Sequence, residues 1–349
     1  MTLASTSINA STDSAGMWQL AWRRLRQDKV AVVSLIIIAL FGLMMIASRA
    51  GWVASHWSDE VAPSYAEPAW HADITKNKSN AQVGIPNSHE GPPIDISDID
   101  PLASRYAELN ERTAKMAQNK TAQATWLPFG ADKWGHDVLA KTIKGAEISI
   151  TVGILAALLA VIVGTLFGAL AGYFGRIVDD VFEWFYNIFT SIPYILLILA
   201  VAAIFSRGFL TIVLILGLTS WTGIYRLVRA EYLKHSERAY VRAAEALGAS
   251  HASRMFKHIL PNISHVMLVQ YSRYVVDAIK AEVILSFLGL GVPVDMVSWG
   301  TILAETQEEV VIGKWSQIIA AGGSMAILVT AISMLTDALR DALDPKLNE

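Results

Sequence analysis

The 349-residue chain is 53% hydrophobic and only 17% charged, with a mean hydropathy of +0.41 and a net charge of -3. That balance excludes an ordinary soluble domain, and the absence of cysteine excludes a disulfide framework or a cysteine-based metal site. The net charge itself decides little, because in a membrane protein the placement of Lys and Arg matters more than their total.

Residues 1–29 read as a small, polar tail followed by a surface helix. In "MWQLAWRRLRQDK" the residues Trp18, Trp22 and Leu25 share one helical face, while Arg23, Arg24, Arg26 and Lys29 supply charge. That pattern suits a helix lying along a membrane surface, or simple basic flanking of a span. The apolar run starts only near Val30 and no small-residue cleavage site follows it, so a cleaved signal is not expected.

A spanning helix needs about 20 mostly apolar residues. Six stretches qualify: residues 30–47, 148–172, 181–205, 209–228, 264–288 and 316–335. The expected fold is therefore an all-α integral membrane protein with six transmembrane helices. Between the first and second spans, residues 48–128 form an expected extracytoplasmic insert. It is rich in proline, carries the acidic run "DISDID", and holds one candidate solvated helix in "SRYAELNERTAKMAQNKTA". No periodicity there marks an independent core. Residues 129–338 hold the other five spans, and residues 339–349 a C-terminal tail. Basic residues concentrate before the first span and between Tyr225 and Ile263, so the positive-inside rule places those regions and both termini in the cytoplasm.

The fifth span is the polar one. A charge at the centre of a span costs at least about 2.5–3.5 kcal/mol, yet this one carries Arg273, Asp277, Lys280 and Glu282. Arg273, Asp277 and Lys280 share a helical face with Gln270, while Glu282 points nearly opposite. The stripe either lines a pore or forms an ion cluster buried against a neighbouring helix or a partner subunit, in which Asp277 offsets both cations. In the second span Gly164, Gly168 and Gly172 form a small-residue ladder suited to close helix packing. Pro193 is expected to kink the third span.

Residues 236–262 interrupt the spans with a basic, helix-prone stretch, "YVRAAEALGASHASRMFKHILPN" at its heart. Ser236 can cap a first helix, Gly248 fits the position just past its end, and Ser250 can cap a second. Ala243, Ala244 and Ala246 leave room for another surface. The element is either a docking loop for a soluble partner or an amphipathic loop on the lipid.

This stretch resembles the cytoplasmic "EAA" loop of ABC-importer permeases, in which E-A-A is followed after three residues by G and later by L-P. Ala243, Ala244, Gly248, Leu260 and Pro261 occupy the pattern's positions; Arg242 stands where the pattern has Glu, and His258 where it has Ile. Four further motifs are similar to the dipeptide/oligopeptide branch: "LPFGADKWGHDVLAKTIKGAEISITVG", with His136 in place of the usual Arg, "AGYFGRIVDDVFEWFYNIFTSIP", "ILSFLGLGVPVDMVSWGTILAE" and "LTDALRDALDPKL". They cover most of Trp126–Leu347; the segment Ala50–Thr125 lies outside the resemblance.

The resemblance implies the type I permease fold in a bacterial inner membrane. It implies a heterodimer with a second, similar permease subunit. Two cytoplasmic ATPases would bind ATP and Mg and drive transport, and an extracytoplasmic binding protein would deliver a peptide substrate, with nickel or another small solute as the alternative. No nucleic-acid partner is expected. The chain's only Gly-Lys pair, Gly313–Lys314, is followed by Trp315, which does not make a phosphate-binding loop. The chain itself is thus expected to be neither an enzyme nor a holder of a cofactor. A secondary transporter is the rival of another class, but it predicts two hydropathy-related halves, which the chain does not show.

Overall fold

The computed structural model describes residues 17–70, 105, 108–109, 111–112 and 126–343. The described residues form helices and no strand; Ala131 and Asp137 make an isolated antiparallel bridge. In chain order the helices are α1 (Met17–Gln27), α2 (Lys29–Arg49), α3 (Val138–Phe174), α4 (Arg176–Thr190), α5 (Tyr194–Ile204), α6 (Phe209–Thr219), α7 (Trp221–Ser236), α8 (Ala239–Ala246), α9 (Leu260–Phe287), α10 (Trp299–Val311) and α11 (Gly323–Leu343).

α3 is the axis of the molecule. Its 37 residues span about 55 Å at 1.5 Å per residue, well beyond a bilayer core of about 30 Å. It is longer than the expected 148–172 because Asp137 caps it early, its side chain accepting from Leu139 N–H at 2.9 Å. Glycines let neighbouring backbones approach. A Cβ at Gly164 would lie 2.7 Å from the Trp221 carbonyl oxygen, one at Gly168 the same distance from that of Tyr225, and one at Gly172 would crowd Arg229. The ladder therefore seats α7 along α3, while Gly153 admits Ile279 of α9.

Three helical stretches are long and apolar enough to cross a membrane among the described residues: Lys29–Arg49, Val138–Phe174 and Ile318–Leu343. The number rises to five if each of two bent pairs counts as one crossing. The expected third span is not kinked but broken, with α4 and α5 meeting at 83°. Pro193, which has no N–H and fixes its own φ, stands at the break and starts α5. The expected fourth span bends by 40° at Ser220 between α6 and α7. α4 is held by the paired hydrogen bonds of the Arg229 guanidinium to Asp179, at 2.5 and 2.7 Å.

Other differences concern the ends. α1 is the expected surface helix, yet Ala21 is buried with Leu343 and Val269, so one face packs on α11 rather than on lipid. Of the expected insert, residues 61–69 dock against 127–135: Ala69 N–H donates to Leu127 O, Tyr65 N–H to Asp132 O, and Ala131 N–H to Ala66 O, at 2.9–3.0 Å. Gly130 and Gly135 have φ of +75° and +80°, and any side chain there would strike Ala66 or Ala62. The "DISDID" run lies outside the described residues, as does most of the candidate helix after it. α10 was not among the expected helices.

Candidate functional site

Two features collect the residues singled out from the sequence. The first is the loop after α7. Ser236 does not cap it: that residue ends α7 and its hydroxyl donates to Leu233 O, while Arg238 stands at the start of α8. Arg242 turns back along the same turn and donates twice to Glu237 O, at 2.9 and 3.1 Å. α8 closes with Gly248 N–H donating to Glu245 O and Ala249 N–H to Ala244 O, the paired bonds of a left-handed helix stop. Gly248 supplies the required φ of +81°. Ser250 then caps the next helix, accepting from Ser253 N–H. That helix runs from His251 through a π-helical turn (Arg254–Ile259) directly into α9. Pro261 lacks an N–H, and the Asn262 side chain donates to His258 O nearby, at 2.6 Å.

One side of this loop is anchored. Val241, Met255 and Ile259 are buried against α3 and α7, Leu260 packs at their edge, and Ala244 is buried too. Buried Arg254 pairs with Glu245 at 2.7 Å and lies over the Tyr173 ring at the end of α3. The other side is open: Leu247 is 89% exposed, and Ala243, Phe256 and Pro261 face outward with it. Arg254 thus ties the loop to the end of α3, and continuous helix ties it to α9.

The second feature is a groove of about 540 Å³ half-way along α9. Gln270, Arg273, Asp277 and Lys280 line one wall; Tyr194, Ser220 and Thr222 line the other, with Ile195, Ile198 and Ile284 between. Both helix breaks open here, and Tyr194 and Ser220 bridge them with a 3.0 Å hydrogen bond between their hydroxyls. The expectation of an ion cluster buried against a neighbouring helix of this chain is corrected by the geometry. Asp277 is 64% exposed and Lys280 49% exposed, they approach only to 4.0 Å, and Arg273 forms no ion pair among the described residues. The reason is that nothing among the described residues packs over that face of α9. Glu282 belongs elsewhere, as its opposite direction on the helix required. It is fully buried, accepting from Ser149 Oγ at 2.7 Å and Ser286 Oγ at 2.6 Å.

Residues 164–349 match the family model described as "binding-protein-dependent transport system inner membrane component", and residues 16–68 match that for the N-terminal membrane domain of oligopeptide transport permease C. The oligopeptide transport system permease protein OppC of Bacillus subtilis is 29% identical over 97% of this chain and 93% of that protein. The dipeptide transport system permease protein DppC of the same organism is 35% identical over 63% of this chain and 68% of its own length. The DppC protein of Lactococcus lactis is 28% identical over 95% of this chain and 91% of that protein. The chain belongs to the binding-protein-dependent transport permeases.

Sequence reasoning missed the permease's densest polar network, at the end of α3 opposite the loop. Lys141, its side chain only 4% exposed, donates to Asp132 at 2.7 Å and to Glu305 of α10 at 2.5 Å. His136, at the position where the family pattern has Arg, donates its backbone N–H to Asp132 at 2.9 Å, and its ring nitrogen Nδ1 lies 3.1 Å from the same carboxylate. Burial alone would raise the Asp132 carboxyl, but Lys141 and the His136 N–H hold it below its ordinary value. Glu309 lies close by, 1% exposed, accepting from the Gln317 side chain at 2.6 Å. Burial raises its carboxyl. The motif "DKWGHD" carried the signal, with four charged or titratable residues around one glycine, but its partner Glu305 lies more than 150 residues on.

Proposed function

We propose that this permease is one membrane half of an ATP-driven importer that carries short peptides into the cytoplasm. Its partners are a second, similar permease subunit, two cytoplasmic ATPases that bind ATP and Mg, and an extracytoplasmic binding protein. In this reading the fold is the type I permease fold with six spans, α9 providing the fifth. Both termini and the α8 loop lie in the cytoplasm of a bacterial cell, and residues 48–128 lie outside it.

The observation that carries the reading is the exposed charge in the groove. Arg273, Asp277 and Lys280 sit near the middle of α9, between its cytoplasmic start at Leu260 and its far end at Phe287. Ionisable groups at that depth do not face lipid; they face water, a cargo or a second membrane subunit. The helix that bears them continues without a break from the loop, so force on the open loop face is delivered at the groove. The OppC and DppC relatives are named for oligopeptide and dipeptide transport, and that is the support for a peptide cargo.

The test is at Gly248. A Cβ there meets nothing within 4 Å, so Gly248→Val strains only the left-handed turn and changes only the outer surface. The expected result is normal recovery of the subunit with its ATPases, loss of peptide uptake, and ATP hydrolysis no longer stimulated by loaded binding protein. Uptake that survives ATP depletion and follows an ion gradient would instead identify a secondary transporter.

A further inference from the structure

We propose that the charged stripe of the groove reads the two ends of an unblocked peptide, Asp277 taking the terminal ammonium and Lys280 with Arg273 the terminal carboxylate. The assignment rests on the peptide reading above. Along the helix axis Arg273 and Asp277 are separated by about 6 Å and Asp277 and Lys280 by about 4.5 Å, from the rise per residue. Opposite charges therefore alternate along one face of the helix, with the Lys280 ammonium 4.0 Å from the Asp277 carboxylate.

The three groups are also loosely held among the described residues. Among the described residues none of them makes a hydrogen bond to another side chain, and the contact of Lys280 with Asp277 is 4.0 Å, at the limit for an ion pair. A dipole-bearing cargo offers each a closer counter-charge. The remaining walls fit the rest of such a cargo. Gln270 and the Tyr194–Ser220 hydroxyl pair can meet backbone amides, and Ile195, Ile198 and Ile284 can take an apolar side chain. A volume of about 540 Å³ falls within the range of small-ligand sites.

The chain has no cysteine, so Thr222→Cys provides a unique thiol on this subunit at the groove wall. In the assembled complex its rate of labelling by a maleimide is measured with dialanine, N-acetyl-dialanine and dialanine amide, without binding protein. Dialanine is expected to slow labelling, and each blocked form to protect roughly two- to fivefold less, the worth of one exposed ion pair. Asp277→Asn should abolish the difference between dialanine and its N-acetyl form while keeping that for the amide. Arg273→Gln with Lys280→Gln should do the converse. Equal protection by all three peptides overturns the assignment, as does no protection in a complex that imports dialanine. The comparison of the three peptides on the Thr222→Cys complex decides the matter even if a charge variant fails to assemble. A complex that imports none of the three overturns the peptide reading, and the assignment with it.

Discussion

Two charge clusters of opposite polarity stand at different levels of this molecule. Near the N-terminal end of α3, a lysine lies between two carboxylates, Asp132 and Glu305, with both contacts at 2.7 Å or less and the lysine 4% exposed. In the middle of α9, a carboxylate, Asp277, is placed in sequence between two cations, yet its one ion pair is 4.0 Å long and its side chain is 64% exposed. The residue types are alike, and the difference lies in what covers them. α10 and the docked residues 61–69 close over the first cluster; among the described residues nothing closes over the second. Buried charge that is fully paired holds helices in place, whereas exposed charge in a groove is left for something outside the chain.

The strongest way to break the comparison is to unpair the buried cluster. Lys141→Met leaves Asp132, whose side chain has no exposure, without its cation. The expected cost is about 3–5 kcal/mol, read as a large drop in recovered complex and in its melting temperature. Recovery and melting like those of the parent would mean that water or a partner already satisfies Asp132, and the distinction between the two clusters would fall.

A second test uses the two faces of one helix. Glu282 accepts from Ser149 and Ser286, and Ser149 Oγ in turn accepts from Trp299 N–H at the start of α10, at 3.1 Å. Glu282→Leu strands those hydroxyls and is expected to lower stability by about 1–3 kcal/mol. Glu282→Gln keeps an acceptor and should lose clearly less. Equal losses for the two would show that the site is governed by packing and not by hydrogen bonding.

The pH dependence sharpens the same contrast. Burial raises the Glu309 carboxyl, so the folded chain holds that proton more tightly than the unfolded one. Its contribution to stability therefore grows as pH falls through the raised value toward the ordinary glutamate value. Asp132 has the opposite sign: its lowered carboxyl gives stability that is present above the ordinary aspartate value and is lost only as pH falls through the lowered one. A mildly acid step should thus raise the melting temperature of the parent complex, and Glu309→Gln should reduce that rise. An unchanged rise in the variant would place the titration elsewhere.

The apolar runs told the sequence reader where the helices are, since long hydrophobic segments are set by local composition. The glycine ladder was equally legible, because spacing of four residues puts Gly164, Gly168 and Gly172 on one face of any helix. The turn at Gly248 was legible for the same local reason. What composition could not show was continuity. Pro193 and Ser220 sit inside apolar runs that read as single spans, but the backbone breaks or bends at both. Nor could it show burial of charge. Lys141 and Glu305 are joined only by tertiary packing, and the fate of Asp277 depended on which face of α9 the chain happens to cover.

The smallest expected effect on stability is also the most discriminating. Asp277→Ala removes a group that is 64% exposed and has one long ion pair. Surface changes of this kind usually alter stability by no more than about 0.5 kcal/mol. Recovery of this subunit with its partners should therefore match the parent, while peptide uptake falls, because the groove has lost its single anion. The same substitution on a buried triad would destabilise by several kcal/mol, so the two measurements separate the cases cleanly. Poor recovery would mean that a partner subunit seals the groove and pairs Asp277 inside the assembly. Normal recovery with normal uptake would mean that the stripe neither holds the structure nor meets the cargo, and the groove would lose its place in the transport path.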